Sequence, residues 1–162
     1  EPASSPTDFG PYSRHCLDRQ QAMQDAIGAL RQRLRDALSR RSADGARLAA
    51  IDAVMDRALA EHERSLLGLV PLRLQAHFER LLRSAAARAP ESGTLAAGPD
   101  TPAAEPDGPA AHTPDPAALD AALATFRDDL DAVLRAELAH RLLPARGLLD
   151  TLQDTLLTLP PT

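Results

Sequence analysis

From Ala46 to Arg88 the chain carries one long helical pattern interrupted by a single proline, and nothing else in the sequence constrains the fold as much. Leu48, Met55, His62 and Leu69 recur every seven residues, with Ile51, Ala58, Leu59 and Leu66 between them. On a helix these residues form one stripe, while Arg57, Glu61, Glu63 and Arg64 face largely the other way. At about 1.5 Å per residue such a helix spans roughly 60 Å, long for a globular helix and ordinary for a coiled-coil-like hairpin. The pattern breaks at Gly68-Leu69-Val70-Pro71. An interior proline removes a backbone hydrogen bond and clashes with the preceding turn, at about 3 kcal/mol. Beyond it the apolar stripe changes phase to Leu74, Phe78, Leu81 and Leu82. The pattern predicts a kinked helix, with a break into two helices as the alternative.

The segments on either side are patterned to lie against this helix. Gly10-Pro11 suits a helix start, since proline is at home in a first turn. Phe9, Cys16, Met23, Leu30 and Ala37 then repeat at sevens, interleaved with Gln20, Ile27 and Leu34, which is the spacing of a coiled-coil seam. Ser42-Ala43-Asp44-Gly45 reads as a tight turn. So short a connection makes the two helices antiparallel neighbours. From Ala89 to Pro114 prolines and glycines punctuate an alanine-rich stretch with no helical period, the composition of a flexible linker. Asp115-Pro116 is an N-cap followed by proline at the first helical position. Leu119, Leu123, Phe126, Leu130, Val133, Leu134 and Leu138 follow at helical spacing as far as Pro144. A short last helix places Leu148, Leu149, Leu152, Leu156 and Leu159 on one face, as bundle core or as a docking helix for a partner groove.

Composition narrows the function classes. The single cysteine, Cys16, rules out an intrachain disulfide and a cysteine-based zinc site, and it fits a reducing compartment. No apolar run approaches a membrane span and no signal peptide is visible. Lysine, asparagine and tryptophan are absent while alanine, leucine, arginine and proline abound, a bias typical of GC-rich bacterial coding. Residues 8–88 hold 14 arginines against 10 acids, and residues 89–162 hold 4 against 12. That asymmetry suits halves that attract each other, or a basic half that meets an acidic partner.

Candidate chemistry is sparse. His15 and Cys16 are adjacent, so on a helix they point about 100° apart and do not meet as base and nucleophile. His62 falls on the apolar stripe, and Glu137 and His140 stand at i, i+3, a spacing used twice in di-iron bundles. With His77 they are possible ligands, or polar residues that fix register. Arg31, Arg33, Arg35, Arg40, Arg41 and Arg47 cluster near the hairpin tip, where they could meet phosphates of nucleic acid or lipid headgroups. No aromatic residues accompany them for stacking on bases, and Asp36 and Asp44 interrupt the patch. No Gly-rich phosphate loop, Ser/His/Asp pattern or HExxH motif occurs. No catalytic, cofactor-binding or metal-binding residue is therefore assigned, and no cofactor is expected.

Three phrases carry a resemblance: DFGPYSRHCLDRQQAMQDAIGALRQRLRDAL, LAAIDAVMDRALAEHERSLLGLVPLRLQAHFERLL and FRDDLDAVLRAELAHRLLPARGLLDTL. In this order they resemble a proteobacterial family known as a domain of unknown function. The likeness covers the two long helices and the C-terminal helices but not the linker. Members of that family look longer at the N-terminus, which agrees with Glu1 as an internal start. The resemblance implies genes that neighbour those for proton-channel-like and peptidoglycan-binding envelope proteins, and hence a cytoplasmic accessory of an envelope assembly.

The expected architecture is an all-α antiparallel helical bundle built on a long coiled-coil-like hairpin. Residues 1–8 are expected to be disordered, helices to run over about 9–41 and 46–88, a linker over 89–114, and two returning helices over 115–159. Met23, Ile27, Leu30, Leu34, Leu48, Met55, Leu66, Leu74, Phe126 and Leu130 are expected in the packing. The expected role is a non-enzymatic scaffold or adaptor with a protein partner or a second copy of itself. Its expected location is cytoplasmic, at the inner face of a bacterial membrane. Nucleic-acid or anionic-surface binding through the arginine cluster is the alternative.

Overall fold

The computed structural model describes residues 7–87 and 115–157. The N-terminal segment expected to be disordered and the expected linker lie almost wholly outside the described residues, as does Leu159. The chain is all-α: Gly10–Arg41 (α1), Ala43–Leu67 (α2), Val70–Ala87 (α3), Pro116–Arg141 (α4) and Leu143–Leu157 (α5), with no strand among the described residues. The described parts of 1–75 and 130–162 form one compact unit and those of 76–129 a second, the boundaries falling within α3 and α4.

In the first unit the seam of α1 is the one its sevenfold spacing predicts. Cys16, Gln20, Ile27 and Leu34 are buried on it, with Met23, Leu30 and Ala37 half-buried, and Leu38 is buried beside it. The connection to α2 is tighter than expected, because Ser42 alone interrupts the helices and Ala43 is already helical. Ser42 is extended, at φ −158° and ψ 162°, and its hydroxyl accepts the Gly45 N–H at 2.9 Å. It is at once the C-cap of α1 and the N-cap of α2. Beside this joint α5 completes a small aliphatic core. Leu34 and Leu38 of α1 meet Ala145 and Leu148 of α5, with Leu30, Leu48 and Leu152 around them.

The single helix expected over 46–88 is two. Gly68 and Leu69 separate α2 from α3, and Pro71 explains why. Its ring nitrogen has no hydrogen to give the Leu67 carbonyl, four residues earlier. That carbonyl accepts the Gln20 side-chain amide instead, at 3.3 Å. The start of α4 matches expectation, with the Asp115 carboxylate accepting the Ala117 N–H at 3.0 Å. Near Pro144, α4 gives way to α5 at Leu142.

The second unit is held by aromatic packing. Phe78 and Phe126 are fully buried and meet edge to face, with ring centroids 4.9 Å apart. Ala85 and Leu123 are buried in the same unit.

Two packing expectations fail. Met55 and Leu66 are each 54% exposed, whereas Ile27, Leu34, Leu74, Phe126 and Leu130 are buried as expected. The stripe on α2 is real, but α2 is turned so that another face meets α1. Gly45 and Ala49 are buried there, and Asp52, Asp56 and Ala60 are half-buried.

Candidate functional site

What turns α2 is an ionic ladder. Arg31 and Arg35 stand one helical turn apart on α1, as Asp52 and Asp56 do on α2, so each pair projects side by side. Arg31 reaches both carboxylates at 2.6 Å and Arg35 reaches both at 2.7 Å. Burial alone would raise the Asp52 pKa, but hydrogen bonds from Arg31 and Arg35 outweigh it and hold the carboxyl below its usual range. Burial likewise pulls Arg35 down, and its bonds to Asp56 and Asp52 more than reverse the effect. Charges this close to the interior are stabilising only when well paired, and all four side chains here have two partners. Arg31 Nε is the exception, a buried donor with no hydrogen-bond partner.

With acids and small residues turned inward, the leucine stripe faces water. Ile51, Val54, Met55, Leu59, Leu66, Leu69 and Leu72 are each about half exposed or more, between 49% and 61%. Ala58, His62 and Ser65 are exposed among them. One edge of the stripe borders a groove of about 330 Å³, where Met55, Leu59 and His62 face Ile27, His140 and Pro144.

Behind the groove lies a buried polar cluster that sequence reading did not assemble. Gln20 donates to Glu137 Oε2 at 3.0 Å, and Arg141 Nε and Nη2 reach Glu137 Oε1 at 2.9 and 2.7 Å. Arg141 Nη1 donates to Gln24 at 2.5 Å. The signal available in the sequence was Gln20, a polar residue on an apolar seam. Cys16 is also wholly buried. Burial, and then the nearby Glu137 charge, push its thiol above the ordinary range. The thiol is thus a packing group rather than a nucleophile.

The possible metal ligands do not converge. Both oxygens of the Glu137 carboxylate are taken up by Gln20 and Arg141, while His62 and His140 are exposed. Among the described residues no three His, Cys, Asp or Glu side chains are grouped to hold an ion. His77 belongs to the second unit, where Nε2 lies 2.7 Å from Asp129 and Nδ1 lies 3.0 Å from Arg80. Arginine only donates, so Nδ1 accepts and Nε2 carries the proton it gives Asp129. Of the arginine cluster, Arg31 and Arg35 are bound in the ladder and Arg47 meets Asp44 at 3.1 Å. Arg33, Arg40 and Arg41 are exposed.

A family profile described as protein of unknown function, DUF3348, matches residues 1–154. The chain belongs to this family. The match takes in the hairpin and the C-terminal helices, as the resemblance implied, and it also runs through residues 88–114. No curated protein and no solved structure matches the chain. Among the described residues, no helix is long and apolar enough to cross a membrane. Among the described residues of this DUF3348 protein, α2 carries five exposed large apolar side chains, Ile51, Val54, Met55, Leu59 and Leu66.

Proposed function

We propose that this protein is a non-enzymatic scaffold or adaptor that works through protein–protein contacts, with the outward face of α2 as its contact surface. The supporting observation is the stripe from Ile51 to Leu66 on α2, five large apolar residues left in water, with Leu69 and Leu72 exposed just beyond it. A helix whose only role was to close the core would turn these residues inward. Here the ladder and the small residues meet α1 instead, and the stripe is free to meet something else. The family resemblance adds an accessory role at a bacterial envelope assembly, on its cytoplasmic side. The alternative of nucleic-acid binding has less support, because the arginines that would carry it are partly spent on Asp44, Asp52 and Asp56.

The test is affinity capture of the tagged protein from its native cells after gentle membrane solubilisation, beside a Met55→Glu/Leu66→Glu variant. The adaptor reading expects defined proteins that the variant loses. Nucleic acid in the eluate, released by high salt and retained by the variant, would replace it with the alternative.

A further inference from the structure

Resting on that reading, we infer that the occupant of the α2 face is a second copy of the same chain, packed through α2 against α2 in antiparallel fashion. Three observations carry this. The first is extent. Five residues of α2 at about half exposure, with Leu69 and Leu72 just beyond its end, leave on the order of 700 Å² of apolar surface, near the roughly 800 Å² that each partner buries in a stable dimer.

The second is spacing. Ile51, Met55, Ala58, His62, Ser65 and Leu69 alternate by four and three, the seam of a two-stranded coiled coil, and all six are exposed, whereas Leu48 just before them packs into the α1–α5 core. The third is self-complementarity. In an antiparallel pair whose two-fold axis passes beside residue 60, Val54 lies opposite Leu66 of the second copy and Ile51 opposite its Leu69. Met55 lies opposite Ser65, and Ala58 opposite His62. Each layer sets a larger side chain against a smaller one, or two aliphatic ones together, so its volume stays even. A parallel pair would set each residue against itself, leaving a void at Ala58 and two imidazoles in contact at His62. The isologous arrangement is also the commonest form of association between identical chains.

Sedimentation equilibrium of the whole chain tests this, over about 1 to 100 µM. The expected result is a dimer that Met55→Glu and Leu66→Glu each weaken at least about tenfold, with unchanged helical circular dichroism. Direction is read by cysteine cross-linking, since native Cys16 is fully buried. Val54→Cys and Leu66→Cys proteins should form a disulfide with each other when mixed, and little with themselves. Self-cross-linking of each alone would overturn the antiparallel register. A chain that stays monomeric throughout would overturn the second-copy inference. If capture from cells were then still abolished by the double variant, the adaptor reading would survive with a different occupant.

Discussion

The Leu67 carbonyl, which Pro71 leaves without its helical donor, accepts a hydrogen bond from the Gln20 side chain across the α1–α2 interface. The same amide nitrogen serves Glu137, so one buried group satisfies a broken helix and a buried carboxylate. Gln20→Leu should therefore cost about 1–3 kcal/mol, because two acceptors lose their donor. In urea melts Pro71→Ala should recover part of that loss, since the new backbone N–H supplies Leu67 directly. Strict additivity of the two changes would sever the proposed link.

Two glycines should respond to alanine in opposite ways. A Cβ at Gly45 would stand 2.4 Å from the Leu38 carbonyl oxygen, while one at Gly28 meets nothing within 4 Å. Gly28→Ala should stabilise by about 0.5–1 kcal/mol through helix propensity. Gly45→Ala should destabilise by about 1–3 kcal/mol, as backbone must move to admit it. Thermal melts of the two variants on the same side of wild type would contradict this.

The ladder should make the fold acid-sensitive. Because the folded Asp52 pKa is below its unfolded value, its contribution is complete above the ordinary aspartate range near pH 4. That contribution is lost as pH falls through the lower folded value. Asp52→Asn should lower stability at neutral pH by about 1–3 kcal/mol, since two arginines then share one carboxylate. Its denaturation midpoint should also fall less steeply below pH 4 than that of wild type.

Placing aspartate at Leu34 should unfold the first unit, for Leu34 is buried in the aliphatic core. At Met55 the same change should leave helicity close to wild type and lower the melting temperature only by what self-association contributes, a difference that shrinks on dilution. Loss of helix in Met55→Asp would return that residue to the core.

Cys16 should behave as a core residue in a thiol assay. With no exposed surface and a raised pKa, it should label with a disulfide reagent only as fast as the fold opens. Prompt labelling of native protein would contradict its burial.

The helices themselves were legible, because caps, prolines and sevenfold spacing are local. Asp115-Pro116, Pro144 and the α1 seam all lie where the sequence points. What stayed hidden was the rotation of α2. An apolar stripe is the strongest single pattern on a helix, and by itself it predicts that this side faces α1. Arg31, Arg35, Asp52 and Asp56, two matched pairs at one-turn spacing, were the competing signal. With Gly45 and Ala49 they allow close approach and charge pairing on another face. The cluster of Gln20, Glu137 and Arg141 was not legible, since it joins residues more than a hundred positions apart.

The lone extended residue at Ser42 holds α2 in the register at which its ladder side meets α1. Each helical residue advances the side chain by about 100°, so lengthening this joint by one position would move every α2 side chain into its successor's place. Ile51 would stand where Asp52 now meets arginine, and Met55 where Asp56 does. Leu66 would take the place of Leu67. One inserted codon would thus swallow the sticky side of the hairpin and expel its charges, giving a chain with a greasier interior and nothing to offer a neighbour. The brevity of the joint keeps the outward side available.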